Sequence, residues 1–413
     1  MNTEYYRRNT CRLCDSKNLE LVVKPAATPP GDRYVSADDL NQVQKIYPLD
    51  VFFCRDCGLL QLLDVVSPNI LYGNYIYTTS ISLGLVEHFR QYAVNVIERF
   101  HPKPNSLVID IGSNDGTILR HFQALGMRVL GVEPATDIAQ KATESGVETL
   151  ATFFSPEVAQ KIQYEYGKAS IITANNVFAN IDDLSTLIES IRSLLSPNGV
   201  FVMETGYGVD LIKNDVFDNI YHEHISYFNV KPLASFFRRH QMELIHVDHV
   251  ETKGGSIRSF VQLQQDSPLV DESVKTMIQQ EESLGFDRPE PYQTFANKIA
   301  RVKIELIDLL TNLKSQGKTI AGYGASVGVT TLLYYLELSE LLSFLVDDNP
   351  IRHNLFSPGH HIPVLPSDTL YEKKPDYVLI LAWRYAEPIM KKHPKYLKQG
   401  GHFIQFLPEV KVI

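Results

Sequence analysis

The sequence predicts an α/β protein in three parts: a small metal-binding segment, a doubly wound parallel sheet, and a second α/β unit. Three observations predict it. All four cysteines lie near the N-terminus, as two C-x-x-C pairs. The stretch Leu107–Pro134, LVIDIGSNDGTILRHFQALGMRVLGVEP, reads as strand, glycine-rich turn, helix and second strand. A further series of this kind surrounds G-Y-G-A-S-V-G near the C-terminus, and alternating strands and helices imply parallel sheets. A chain of 413 residues exceeds one ordinary core. The expected divisions are 1–70, 71–255 and 256–413.

Composition narrows the function. A hydrophobic fraction of 44% and a charged fraction of 21% belong to a globular, water-soluble chain. No apolar run is long enough to span a bilayer, and MNTEYYRRNTC lacks the apolar core of a signal peptide. A cytoplasmic enzyme with no membrane partner is expected. The net charge of −9 argues against a nucleic-acid partner, but an arginine can still hold a small anionic ligand locally.

Cys11, Cys14, Cys54 and Cys57 form C-R-L-C and C-R-D-C. Each pair presents two thiolates from one knuckle, and two knuckles complete a tetrahedron for a structural Zn²⁺. Such a closed site leaves no position for catalysis. Disulfides are disfavoured by the cytosolic reading. A redox role is weaker still, because neither pair follows a βαβ pattern. The insert between the pairs is longer than a zinc-ribbon gap and must have structure of its own. PAATPPGDRY (Pro25–Tyr34) is a loop. Tyr47–Cys54 and Gly58–Asp64 read as a hairpin around the second knuckle.

The linker that follows carries Tyr72, Tyr75, Tyr77, Thr78, Thr79 and Ser80. It suits equally a loop packed on the next unit or a lid of hydroxyl groups over a polar ligand. Leu83–Phe100 is an amphipathic helix, broken by H-P-K-P-N.

In the central unit, Leu107–Ile111 is a buried strand, and Asp110, Gly112 and Gly116 form D-x-G-x-x-x-G at its end. The helix Thr117–Leu125 stops at Gly126, and Val129–Val132 runs to Glu133. The glycines let a ligand lie against the backbone, and an acid at a strand tip can accept ribose hydroxyls. Two ligand classes fit: NAD or FAD, and S-adenosylmethionine (SAM). A pyrophosphate prefers G-x-G-x-x-G at an open helix N-terminus. Here the turn carries Asp115, which repels a pyrophosphate and suits the cationic end of SAM, so SAM is favoured. After the helix Ala135–Ser145, the strand Ser170–Thr173 leads into A-N-N-V-F-A-N-I-D-D-L and sets Asn175 and Asn176 at the cofactor crevice. The candidate cofactor residues are Asp110, Gly112, Asn114, Asp115, Glu133, Pro134, Asn175 and Asn176. Leu184–Leu195 is a helix, S-P-N-G a turn, and V-F-V-M-E-T a strand ending at Glu204.

Y-H-E-H-I-S-Y-F (Tyr221–Phe228) opens with four ionisable side chains in a row, which are costly to bury. The segment is a solvated loop or a site. An extended backbone projects His222 and His224 together, with Tyr221 and Glu223 on the other face. A metal there would need further ligands. A histidine beside a carboxylate is a general-base arrangement.

In the last part, Lys275–Glu282 and Tyr292–Gln316 are helices. Lys318–Ala321 is a strand entering Gly322–Gly328, Thr330–Leu338 a helix, Leu341–Pro350 a strand ending in acids, and Tyr377–Ala382 another strand. The turn amides could hold a diphosphate, or the turn is purely structural. Asp347 stands where a ribose-binding acid would, or caps its strand. His360 and His361 are loop residues. Trp383 and Arg384 follow a strand end, where a base could stack and a phosphate pair.

The ordered set resembles the sugar C-methyltransferases that act on nucleotide-linked keto-deoxysugars. It comprises the paired C-x-x-C, Y-x-Y-x-x-S, D-x-G-x-x-x-G, A-N-N-V-F-A-x-I-D-D, Y-H-E-H-x-x-Y-F, G-G-S-I-R and G-Y-G-A, and it covers essentially the whole chain. The resemblance implies an N-terminal zinc-binding domain, a central class I methyltransferase domain, and a Rossmann-like C-terminal domain that helps hold a nucleotide-diphosphate keto-sugar. It implies that His224 removes a proton next to the ketone, with Tyr221 and Glu223 orienting it or the sugar. Gly112, Glu133 and Asn176 would contact SAM. Tyr75, Tyr77 and Ser80 would approach sugar or cofactor from the linker, and Asn180, Arg258, Tyr323 and Asp347 would lie on the substrate side. Three positions depart from the family. Asn180 and Lys253 stand where histidine is expected, and Val327 where lysine is. The alternatives are methyl transfer to oxygen or nitrogen, and a non-catalytic protein that binds SAM or a nucleotide sugar.

Overall fold

The computed structural model describes residues 4–72, 78–81, 84–264 and 270–413. The central sheet has seven strands. They are β1 (Leu107–Ile111), β2 (Arg128–Val132), β3 (Thr149–Leu150), β4 (Ala169–Asn175), β5 (Leu195–Gly206), β6 (Met242–Val250) and β7 (Ser256–Leu263). Their order is β6-β7-β5-β4-β1-β2-β3. β1 to β5 run parallel, and β7 is antiparallel to both β5 and β6. All five residues of β1 are buried, as expected of a strand covered by helices on both faces. The order reverses between β1 and β4, and such a switch point opens a crevice at the carboxyl ends of the strands. The D-x-G-x-x-x-G turn and Asn175 stand at that crevice.

β7 lies on the far side of the expected boundary at 255/256, yet it belongs to the central sheet, paired from Gly206–Ser256 to Val200–Gln262. Gly254 and Gly255 are the turn of the β6–β7 hairpin and not a linker between units. Ile257, Phe260 and Val261 bury that strand in the core.

The last sheet has six strands in the order Val364–Pro366, Leu345–Asp347, Ile320–Tyr323, Tyr377–Ile380, His402–Gln405 and Lys411–Val412, parallel except for the final one. Its order also reverses beside the strand that enters the glycine turn.

The N-terminal hairpin forms as expected, Val51–Cys54 against Leu60–Leu62, with Leu19–Val23 outside it. The fourth strand of this sheet is Ser226–Tyr227, from the Y-H-E-H segment, paired to Gln61 and Leu60. The metal-binding segment and the candidate catalytic segment therefore share one sheet.

The helix Leu85–Phe100 lays Leu85, Phe89, Tyr92, Ala93 and Val96 on the central sheet. Glu290–Ser315 buries a continuous stripe from Tyr292 to Leu313 and joins the units. Its Tyr292 ring meets Phe53 at 5.4 Å, and Phe295 meets Phe217 at 6.3 Å. The insert loop packs on the C-terminal glycine turn. Thr330 Oγ1 donates to the Gly31 carbonyl at 2.8 Å, and a side chain at Gly31 would collide with the Val327 carbonyl. Among the described residues, no helix is long and apolar enough to cross a membrane.

Candidate active site and metal centre

The four cysteine sulfurs lie within 4.8 Å of one another, and none is in a disulfide. Cys11 Sγ is 3.5 Å from Cys57 Sγ, and Cys14 Sγ is 3.5 Å from Cys54 Sγ. A tetrahedron with Zn–S bonds of about 2.3 Å has edges of about 3.8 Å, so the four thiolates fit Zn²⁺. The donor set is closed, consistent with a structural ion.

The crevice is built around Glu133. Its Oε2 accepts from the Asn114 amide and its Oε1 from the Ala135 amide, each at 2.9 Å. The acid thus ties the glycine turn to its own loop, beside half-buried Pro134, and each oxygen keeps a lone pair for a ligand. Burial raises its pKa, and the two amides oppose that. Gly112 has φ 71°, and a side chain there would collide with Val177. Asp110 accepts from Thr173 Oγ1 at 2.6 Å. Burial pushes its carboxyl up to about 7, against the Thr173 hydrogen bond and with help from the Glu133 charge. Asn176 sits at φ 57°, and its amide donates to the Glu204 carbonyl at 2.7 Å. The Asn175 amide is buried beside the Tyr92 hydroxyl, at the carboxyl end of its strand. The Glu133 carboxylate, the positive-φ turn at Gly112 and the two asparagines at the crevice together suit the nucleoside and amino-acid parts of SAM.

Asp115 is hydrogen-bonded within the protein on both oxygens. Oδ1 accepts from the Thr117 amide and hydroxyl at 3.1 and 2.6 Å, and Oδ2 from the Ser80 amide at 2.9 Å. Burial raises its pKa, but the bonds from Ser80 and Thr117 outweigh that and hold it below the usual range. The Thr79 amide donates to Asn114 Oδ1 at 2.8 Å. The end of the linker is thereby docked on the cofactor turn. Tyr75 and Tyr77 lie outside the described residues.

The Y-H-E-H segment is a turn, closed by the His224 amide on the Tyr221 carbonyl at 3.0 Å. The backbone is not extended here, so the two histidines do not project together. A turn brings residues three apart together, whereas an extended chain pairs residues two apart. The Tyr221 and His224 rings lie 4.1 Å apart, tilted by 34°, with Tyr221 Oη 2.9 Å from His224 Nε2. His224 Nδ1 is 3.2 Å from the Asn219 carbonyl. A carbonyl only accepts, so Nδ1 carries the proton, and Tyr221 donates to the Nε2 lone pair. His222 points the other way, 1% exposed, with Nε2 3.1 Å from the Tyr47 carbonyl. Burial lowers its pKa to about 4. Burial, reinforced by the Lys253 charge, lowers that of His224 to about 3. Burial raises Glu223 to about 8, with Asp32 adding to the rise and Lys253 and Arg352 opposing it.

Asn180 Nδ2 donates to Tyr72 Oη at 3.1 Å, and Asn180 Oδ1 is buried without a partner among the described residues. Lys253, between Thr252 and two glycines, has φ 54°. Such a conformation is costly for a lysine, and the Arg384 guanidinium holds its carbonyl at 3.3 Å. Desolvation lowers the Lys253 pKa, against the pull of Glu204 and Glu223. Asp32 and Arg352, whose charges act on Glu223, carry no motif of their own. Only the chain's path brings them in.

The other expected substrate residues are engaged within the protein. Arg258 forms a buried ion pair with Glu204, Nη2 to Oε2 at 2.8 Å, shared with His88 at 2.8 Å from Oε1. Tyr323 Oη is 3.0 Å from both Asp348 Oδ1 and His393 Nε2. Asp347 repeats the Glu133 device. Oδ2 accepts from the Ala325 amide at 2.6 Å, and Oδ1 from the Asn349 amide at 2.7 Å. Trp383 and Arg384 both donate to Asp218, at 3.1 and 3.3 Å. His360 stacks on Tyr334 at 3.9 Å.

Family models match nearly the whole chain. Residues 11–72 match one described as "putative zinc binding domain", residues 86–247 a methyltransferase domain, and residues 251–408 a C-methyltransferase C-terminal domain. C-methyltransferase NovU from Streptomyces niveus is 34% identical over 404 residues, covering 98% of this chain and 96% of that protein. Two solved structures resemble part of the fold. The PH0226 protein from Pyrococcus horikoshii OT3 has a TM-score of 0.38 at 14% identity, over 47% of this chain and 98% of that one. An S-adenosylmethionine-dependent methyltransferase from Clostridium acetobutylicum ATCC 824 has a TM-score of 0.36 at 11% identity, over 48% and 96%. With the zinc-binding cysteines, the cofactor crevice and a relative matched end to end, the chain belongs to the SAM-dependent C-methyltransferase family that includes NovU.

Proposed function

We propose that the protein methylates the carbon next to a ketone on a keto-sugar carried by a nucleotide diphosphate, with His224 as the base, in the cytoplasm. The observation that carries this reading is the Tyr221–His224 pair. His224 is neutral, its tautomer is set by the Asn219 carbonyl, and its lone pair faces the Tyr221 hydroxyl. A carbon acid next to a ketone needs such a base, because its carbanion is an enolate. Tyr221 lies on the proton's path: its oxygen takes the proton from carbon as its own proton passes to Nε2. The Lys253 ammonium, near Glu223 and Glu204, supplies positive charge for the developing oxyanion. Asp110, Gly112, Asn114, Glu133, Pro134, Asn175 and Asn176 hold SAM, which supplies an electrophilic methyl group. Arg352, from the C-terminal unit, reaches the surroundings of Glu223, where the charge of a diphosphate can be met.

The test is proton NMR in D₂O on a panel of nucleotide 4-keto-deoxysugars, with SAM or S-adenosylhomocysteine. The expected result is enzyme-dependent loss of one α-proton signal, and a new methyl on that carbon when SAM is present. A methyl on oxygen or nitrogen without α-exchange would overturn the enolate route. SAM binding with neither signal on any ketone would favour a non-catalytic binder.

A further inference from the structure

We propose that Arg12 is a positioning residue through which the zinc knuckle holds the candidate catalytic turn in place. Arg12 lies between two of the metal ligands, in Cys11–Cys14, and its side chain is fully buried. It turns away from the sulfurs and into the central unit. Its amide donates to Gln61 Oε1 at 3.1 Å. Nη1 donates to the Ile225 carbonyl at 3.0 Å and also to the Leu62 carbonyl. Nε donates to Asp182 Oδ1 at 2.8 Å.

Those contacts span both sides of the site. Ile225 follows His224 directly. Its carbonyl also accepts from the Leu62 amide, and its amide donates to the Ala179 carbonyl, each at 3.0 Å. Asp182 is two residues past Asn180, and Arg8 meets its other oxygen at 3.0 Å. One guanidinium thus clamps the turn that carries His224 to the loop that carries Asn180, and its own backbone is set by the knuckle. A lysine has one donor centre and cannot reach these acceptors together, whereas the planar fork of arginine can.

A fully buried cation is expensive to hold, and one Nη2 is left without a partner among the described residues. A metal site needed only to fold the N-terminal sheet would not require it. The geometry points instead to the ion as the fixed end of a lever whose other end is the catalytic turn.

This inference rests on the reading of Tyr221–Ile225 as catalytic, but its first readout does not. Arg12→Lys should keep one equivalent of zinc and bind SAM within about twofold of the parent, while amide hydrogen exchange over residues 221–228 rises about tenfold or more. On whatever substrate the parent turns over, kcat should fall about tenfold or more with KM little changed, because misplacing a catalytic group costs rate before binding. Unchanged exchange in 221–228, or unchanged kcat, would overturn the proposal. So would loss of zinc with exchange raised evenly through the chain, since that marks a scaffold residue. If Arg12→Lys does not accumulate as folded protein, Asp182→Asn breaks the other end of the clamp, and the same measurements decide. A parent enzyme inactive on every ketone counts against the proposed function and leaves the exchange result to decide the role of Arg12.

Discussion

Tyr221 Oη stands 2.9 Å from His224 Nε2, on the side of the imidazole opposite its 3.2 Å contact with the Asn219 carbonyl. The pair has one proton arrangement at rest, and in the proposed mechanism it works as a unit. His224→Ala should reduce α-proton exchange by about 10²–10⁴-fold, the usual worth of a general base. Tyr221→Phe should cost nearly as much, and the double variant little more than either alone. Additive losses in D₂O exchange would show that the two act separately.

Burial, and after it Lys253, sets the acid end of the expected pH range. With His224 as the proposed base, which must be neutral, activity should be lost as pH falls through the His224 pKa, which burial and then Lys253 hold down at about 3. The acid limb of log kcat/KM for the parent should therefore be flat across ordinary acidic pH. Lys253→Met removes one of the two depressing causes. The limb should move to higher pH, toward the normal imidazole range, and a limb that stays put would exclude the proposed contact.

Asp110 makes the ligand-free protein pH-sensitive. Its folded pKa, about 7, lies above the ordinary 3.8. The folded state therefore binds more protons between those values, and stability falls as pH rises through that window. Asp110→Asn keeps an acceptor for Thr173 Oγ1 and has no charge to bury. Its melting temperature should exceed the parent's at pH 8, with the gap closing toward pH 4, as read by thermal scans without SAM.

Glu133 and Asp347 hold equivalent turns in two sheets, each through two backbone amides. The first turn stands at the crevice beside Asn175 and Asn176. The second is covered by the Gly31 loop. Glu133→Ala should weaken SAM binding about tenfold or more, as expected for losing a charged acceptor. Asp347→Asn should leave the SAM dissociation constant unchanged by calorimetry. Equal effects would mean that the C-terminal turn also holds the cofactor.

Much of the fold was legible because it is local. The run Leu107–Ile111, the glycines after it and the acid at Glu133 specify a strand, a turn and a strand tip within one short stretch, and the structure has them in that order. The cysteine pairs were legible because knuckle geometry is set by neighbours in sequence. The expected boundary at 255/256 falls in the β6–β7 hairpin, because two glycines look alike in a hairpin and in a linker. Only the pairing of Ser256–Leu263 with β5 tells them apart.

The site divides in the same way. The sequence by itself determined which chemical groups are present: a cofactor turn, four thiolates, and a tyrosine, two histidines and a glutamate in a row. Tertiary structure decided their partners. It folded Tyr221–His224 into a turn, so that one histidine meets a phenol and the other a buried carbonyl. It also joined Ser226–Tyr227 to the metal-binding sheet and set Arg12 against Ile225. The physical reason is that hydrogen bonding, burial and charge act through distance in space. Residues 213 apart along the chain share one such bond here, and no local pattern encodes it.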